Sequence, residues 1–514
     1  MRTSRFVSSA VVLLIVGCSD DILPPVPQLV PIADLVEGEL SVTPDPSGRA
    51  PLVAEATFTT IQPVTVSLTV LGEEPLTHEI TVPATQHAIP ILGLYPGVEN
   101  LVELRLTNGT RTHAVDTLRI STDPLPDVLP DIEILTADPS RMEPGWSLSS
   151  LNVGNAGTFI AWPIMFDTNG DIRWYLDLTS FNDVVFLVEP LANGNILFGQ
   201  GEALYEYDRL GREVSKWQTP GYVFHHDVVE KPDGNFIIAV DKRGTGTVED
   251  HAIEIDRNTG AIVTEWDLRQ ALDVDRFTFL RNPVDWFHMN SVWYSAEDDA
   301  VIFSGRNQSS VVKVTRGNEV VWILGAHRGW GTAGLEGNGA DLTDYLLVAV
   351  DADGNPFPQS QQDGDEGSAD FRWPWGQHAA MVLPNGNIFL FDNGFLRNFN
   401  TESPTFSRGV EYEVDETQRT VRQTWQFGEE RGAVFYSSII SDVDFLPTTG
   451  NRLIMPGIVE QPDARAFVTE VAYPSGDVVF EAAIRFRNRL GSGEIQWGNF
   501  DMVYRSERMT PYPQ

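Results

Sequence analysis

The chain has 514 residues, 42% of them apolar and 10% aromatic, with 43 Gly and 33 Pro, a profile that fits a turn-rich globular protein and excludes a largely disordered one. A formal charge of −37 with no cluster of Lys or Arg excludes nucleic acid as a partner, because phosphate contacts need neutralising cations. A single cysteine, Cys18, excludes an intrachain disulfide.

Basic Arg2 and Arg5 precede an apolar run over residues 11–16 that is too short to span a bilayer and has the layout of a secretory signal. The run closes on Ile15, Val16, Gly17 and Cys18. That tetrapeptide is similar to a bacterial lipobox, in which a peptidase cuts before the Cys and the thiol carries lipid; an ordinary secretory signal is the alternative. The expectation is a lipoprotein signal peptide over 1–17, lipidation at Cys18 and a Pro-rich tether over 18–36. The expected location is the cell envelope, with the membrane touched only through the anchor. Ser19, where an Asp would retain a lipoprotein at the inner membrane, points to the outer one.

Residues 37–122 alternate apolar and polar side chains in short runs such as VTVSLTVLG and LVELRLTNGTR, separated by turn residues. This pattern predicts a small N-terminal β-sandwich. A second Pro-rich stretch, 123–130, ends it.

From 131 to 514 the chain repeats itself. A strand, a tight turn and a strand ending in an aromatic recur six times, as in IMFDTNGDIRWYLD, YEYDRLGREVSKWQ and IEIDRNTGAIVTEWDL. A second hairpin with a Pro/Gly turn precedes most copies: EKPDGNFIIAVDK, LPNGNIFLFDNG. Paired, they make four-stranded modules at the ~40–50-residue spacing of propeller blades. The prediction is all-β: a six-bladed β-propeller whose first blade is completed by strands near the C-terminus, preceded by the sandwich. The wide gap between Thr315 and Asp415 holds a Gly/Asp/Gln-rich stretch, 326–370, without strand periodicity, which predicts a long insertion over one face.

Of nine histidines, three share the repeat register: His226 lies seven residues before Asp233 of its turn, His378 seven before Asn385, and His288 opens the equivalent segment between them. First strands of propeller blades line the central channel, so these three converge. The hairpin after His288 brings Arg306 back to the same end, and period-two alternation puts Asn290 on the face of His288. The guanidinium fork suits an anion. His78, His87 and His113 read as exposed strand residues, and His251 and His327 as satisfied or surface side chains. Three convergent imidazoles also admit a metal site, against which stand the lack of an HExxH pattern and the expectation that Asp227 points away from His226.

The segments YVFHHDVVEKPDGN, DWFHMNSVWYS, VIFSGRNQ and WPWGQHAAMVLPNGNIFLFDNG resemble the bacterial PAPS-independent arylsulfotransferases, over residues 133–505 and more loosely the N-terminal domain. The resemblance implies that His378 carries a sulfuryl group between an aryl sulfate donor and a phenolic acceptor, with His226, His288, Asn290 and Arg306 around it. It implies no metal, nucleotide or organic cofactor. A sulfatase using the same site and a non-catalytic binding propeller are the alternatives, and a homodimer is an alternative to the monomer. The family's better-known members rely on a disulfide that Cys18 alone cannot make. His225, Phe287, Trp373 and Trp375 are added as candidate substrate contacts, and Trp286, Phe435 and Tyr436 flank the same motifs; aromatic rings at such positions clamp aryl groups or simply pack blades.

Overall fold

The computed structural model describes residues 28–109, 112–278, 282–400, 406–489 and 496–513. The expected signal peptide, Cys18 and most of the tether lie outside the described residues. Among those described, no helix is long and apolar enough to cross a membrane.

The N-terminal strands join one six-stranded sheet, in which the long strands Ala54–Val70 and Leu76–Ile91 run side by side. Alternation along Ala54–Val70 buries Ala54, Ala56, Phe58, Val64, Val66, Leu68 and Val70 against Val102, Leu104 and Leu106. His87, expected at the surface, is buried: its ring stacks on Phe58 at 4.6 Å, because it falls on the inward phase of its strand. This domain is fastened to the rest of the chain by Arg173. Its guanidinium lies 3.5 Å from the Tyr95 ring, bonds Asp167 at 2.9 Å and donates to the carbonyl of Gly93.

Beyond residue 131 the described residues form six sheets in chain order. The second, third and fourth are four-stranded antiparallel meanders. The C-terminal strand Met502–Met509 pairs with Trp146–Asn155 and completes the first sheet, while Ile132–Ala137 adds to the last strand of the sixth. The two chain ends of this region are thus woven into sheets begun elsewhere.

The repeated turns have one physical cause. In Lys231–Asn235 and Leu383–Asn387 the Gly N–H returns to the carbonyl three residues back, at 2.8 Å in both, and the Asp233 or Asn385 side chain accepts the N–H two residues on. Gly234 and Gly386 both sit at φ +87°, a conformation that lets a type I turn close into a hairpin and that other residues resist.

The aromatic that ends each outer strand joins neighbouring sheets. Trp174 Nε1 donates to Arg209 O, Trp217 to Arg257 O, Trp266 to Thr315 O, Trp322 to Glu416 Oε1 and Trp425 to Pro474 O. Each acceptor lies in the turn of the next sheet or, for Thr315, at the strand end that enters it. The sixth copy ends in Phe480, which packs in the core between the sixth sheet and the first without such a donor.

Residues 326–370 are more integrated than an insertion lying over a face. Val348–Ala349 pairs in parallel with Thr420–Phe427, and Leu342, Leu346 and Leu347 are buried. The apolar run at 346–350 covers a sheet edge, and Gln362 satisfies the backbone of Ala349 from both sides.

Candidate active site

Four of the six inner strands break their ladder. Pairing is interrupted by bulges between Phe224 and Val228, Met289 and Ser291, His378 and Met381, and Val503 and Ser506. Left-handed backbone accompanies them, with φ of +56° at His226, +58° at His288 and +52° at Ala379. Bulges re-aim side chains and cluster near active sites. Here they separate two cavities. Below lies an acidic one of about 160 Å³, lined by Glu189, Asp227, Ser291, Ala380, Asp442 and Arg505, at least one from each inner strand. Above lies one of about 450 Å³, lined by His225, His226, Glu249, Asp285, His288, Arg306 and His378 with Phe186, Phe395, Ile439, Ile440 and Trp497.

His226, His288, His378 and Arg306 therefore meet in one cavity, with His225 at its edge. The chain brings Arg306 to His288 directly, since Arg306 N donates to His288 O at 3.1 Å. Asn290 does not share a strand face with His288. The strand begins only at Met289 and bulges at once, so Asn290 turns into the wall, fully buried, and donates to Gln377 O at 2.7 Å. It braces the residue before His378.

Trp373 and Trp375 are not cavity residues either. They are 2% and 1% exposed, packed among Phe371, Leu347 and Tyr412. Phe287 is wholly buried with Trp286 in the core between the third and fourth sheets. Phe435 packs on Phe427 and Phe467. These rings flank the motifs in sequence but pack into the space between sheets, away from the cavity.

Four residues that sequence reasoning passed over complete the site. Glu249 Oε2 lies 2.7 Å from His288 Nδ1 and 3.2 Å from His226 Nε2, and its Oε1 lies 3.2 Å from His225 Nε2. Asp285 Oδ2 takes a second contact with His288 Nδ1 at 2.9 Å. Tyr504 places its hydroxyl 2.8 Å from His226 Nδ1, and Asn393 places Oδ1 2.8 Å from His378 Nδ1. Asn393 stood in the quoted motif LFDNG; Glu249 had no signal, because nothing in its sequence context sets it apart from dozens of other acids.

These contacts sort the imidazoles by charge. Burial, then the charge of Arg306, holds the His378 imidazolium far below the usual range, so His378 is neutral. Burial and then His225 do the same for His226. His288 goes the other way: burial opposes its charge, but Glu249 and Asp285 outweigh it and push its pKa up to about 9. Glu249 is correspondingly held well below the usual carboxylate range, its burial outweighed by His288 and His225. By distance, His225, His226 and Glu249, or Glu249, Asp285 and His288, could also surround a cation; the shared proton on His288 supplies positive charge at the second of these places. Two other histidines have structural partners. His251 bonds Asp250, and His327 bonds Leu347 O.

A cavity holding two neutral imidazoles, His226 and His378, with one imidazolium and one guanidinium suits transfer of an anionic group from oxygen to nitrogen. Against known families, the description Arylsulfotransferase (ASST) matches residues 136–490 and Arylsulfotransferase Ig-like domain matches 41–123. The chain belongs to the arylsulfotransferase family. Among curated relatives, Arylsulfate sulfotransferase AssT of Escherichia coli O6:H1 (strain CFT073) is 32% identical over 340 residues, covering 54% of this chain and 54% of that protein. Arylsulfate sulfotransferase AssT of Lelliottia amnigena is 28% identical over 507 residues, covering 79% of this chain and 82% of that one. Among solved structures, a protein of unknown function from Bacteroides caccae is similar at 12% identity with a TM-score of 0.40, covering 71% of this chain and 98% of that one. Family membership extends on both sides of the cavity, since all seven polar lining residues from His225 to His378 fall inside the matched span.

Proposed function

We propose that the chain transfers a sulfuryl group from an aryl sulfate to a phenol by a ping-pong route through a sulfated His378, without PAPS. The observation that carries this reading is the neutral His378 facing a cavity that also holds Arg306 and the protonated His288. His378 Nε2 attacks sulfur as the S–O(aryl) bond breaks. The departing aryl oxygen takes the Nε2 proton of His288, and the phenol leaves. An acceptor phenol then attacks sulfur, returns its proton to His288, and the N–S bond breaks. Arg306 holds the sulfuryl oxygens throughout. The aryl ring fits among Phe186, Phe395, Ile439, Ile440 and Trp497.

We read the six sheets as blades of a propeller around the axial acidic cavity, a reading supported by the Trp bridges between successive sheets and by the inner strands lining that cavity together. We also propose that Cys18 is lipidated in the bacterial envelope, on the strength of the Ile-Val-Gly-Cys sequence. Intact-mass analysis of membrane-fraction protein is expected to show a mature chain that begins at a lipid-bearing Cys18; a free thiol there rejects the anchor.

The activity is tested with a chromogenic aryl sulfate, with and without added phenol. Release that depends on phenol is expected; phenol-independent release makes the protein a sulfatase, and no release with any donor leaves a binding protein. Arg306→Ala is expected to lower kcat by about 10² to 10³ through loss of one preorganised cation, while slow labelling of His378 survives.

A further inference from the structure

Two acceptors meet the Nδ1 edge of His378: Gly376 O at 3.1 Å and Asn393 Oδ1 at 2.8 Å. A peptide carbonyl can only accept. The Asn393 amide is held one way round, because its Nδ2 donates to Ser437 O and Ile440 O, both at 2.8 Å. Reversing it would set an oxygen against two carbonyls and an NH₂ against the imidazole N–H. Nδ1 must therefore carry the ring proton, leaving the lone pair on Nε2.

The support for this acceptor is itself buried and charged. Asn393 is fully buried, and its backbone carbonyl accepts from Ser407 Oγ at 2.8 Å. The preceding Asp392 accepts from Arg397 and Arg408 at 2.8 and 2.9 Å and from the backbone of Trp375 and Gly394 at 2.9 and 3.1 Å. The segment leading to His378 and the segment carrying Asn393 are thus tied to one carboxylate, which fixes their separation.

We infer that Asn393 is a positioning residue for the sulfuryl carrier: it fixes the tautomer of His378 and keeps the Nδ1 proton on the ring while the sulfuryl group is bound. The second half of this inference rests on the proposed function; the first does not. When the Nε2 lone pair forms the N–S bond, the ring becomes a cation that balances the sulfonate charge. From that form the N–S bond breaks to release neutral imidazole. A ring stripped of its Nδ1 proton would have to leave as imidazolate, a far poorer leaving group. An amide oxygen accepts the hydrogen bond without taking the proton. A carboxylate in its place would strengthen the ring as a base and hold the sulfuryl group longer.

The test joins ¹⁵N NMR of the histidine rings with single-turnover kinetics, the His378 signals being those lost in His378→Ala. The wild-type protein is expected to show His378 protonated at Nδ1 and not at Nε2. Asn393→Ala is expected to give a mixture of tautomers and a kcat lower by about tenfold, the worth of one hydrogen bond in the transition state, with donor KM little changed because Gly376 O remains. Asn393→Asp, of the same shape, is expected to keep the tautomer and form the adduct but to pass it to phenol more slowly. An Nε2–H tautomer in the wild type overturns the inference, as does Asn393→Ala with an unchanged tautomer. If the wild-type tautomer is as expected and Asn393→Asp discharges at the wild-type rate, the carrier half of the inference is overturned. Turnover by His378→Ala would instead overturn the covalent route and leave the NMR result standing.

Discussion

His378→Ala is expected to lower turnover of any aryl sulfate on the order of 10⁶-fold, the scale of losing a nucleophile from a unit that acts as one. No other imidazole lining the described cavity can take its place. His288 is protonated, and His226 has Nδ1 on the Tyr504 hydroxyl and Nε2 against Glu249. His225 stands at the edge, facing Glu249 rather than Arg306. Added imidazole, which fits the space the side chain leaves, is expected to restore part of the rate. Stopped-flow release of a chromogenic phenol measures both effects. A variant that turns over at more than a trace of the wild-type rate without imidazole would mean that sulfur is attacked by something else.

His288→Asn is expected to cost about 10² to 10⁴ in the donor half-reaction, the range of a lost general acid. The loss should grow as the leaving phenol becomes more basic and shrink for a nitrophenyl sulfate, whose oxygen needs no proton. The same group sets the alkaline limb of the pH profile. Because the His288 pKa is raised to about 9, its proton is present through neutral pH and is lost as pH rises through that value. The donor half-reaction should therefore fall above about pH 9 in the wild type, and the fall should vanish in His288→Asn. On the acid side, His378 stays unprotonated to well below the ordinary histidine range, so its rate should not drop on passing through pH 6.5. A loss in His288→Asn that is independent of the leaving group would reassign His288 to holding the sulfuryl oxygens.

The convergence of His226, His288 and His378 was legible in the sequence because the hairpin turns are legible: Asp233 and Asn385 mark the same turn, and counting back from a turn is reliable along a strand. What counting could not supply is the bulge. One extra residue between Met289 and Ser291, or between His378 and Met381, reverses which face the neighbours take, and period-two reasoning through that point fails. Asn290 is placed beside His288 by counting across such a point, whereas Phe287, Trp373 and Trp375 are chosen only because they flank the motifs; all four lie buried in the walls. The outer-strand tryptophans were visible as a repeat, yet their inter-sheet hydrogen bonds required knowing which turn follows in space. Glu249 was out of reach for a different reason. Its role comes from three imidazoles contributed by two sheets, and a buried carboxylate reads in sequence like any surface one.

The central claim is that sulfur rests on His378 between donor and acceptor. Incubating the protein with an aryl sulfate and no phenol, then measuring intact mass and the peptide containing WGQHAAMVL at neutral to alkaline pH, tests it most directly. The account predicts a chain heavier by one sulfuryl unit, the added mass on His378, and its disappearance when phenol is supplied. A protein that turns over donor with phenol present yet never gains mass in its absence would contradict it, because transfer would then pass directly from donor to acceptor.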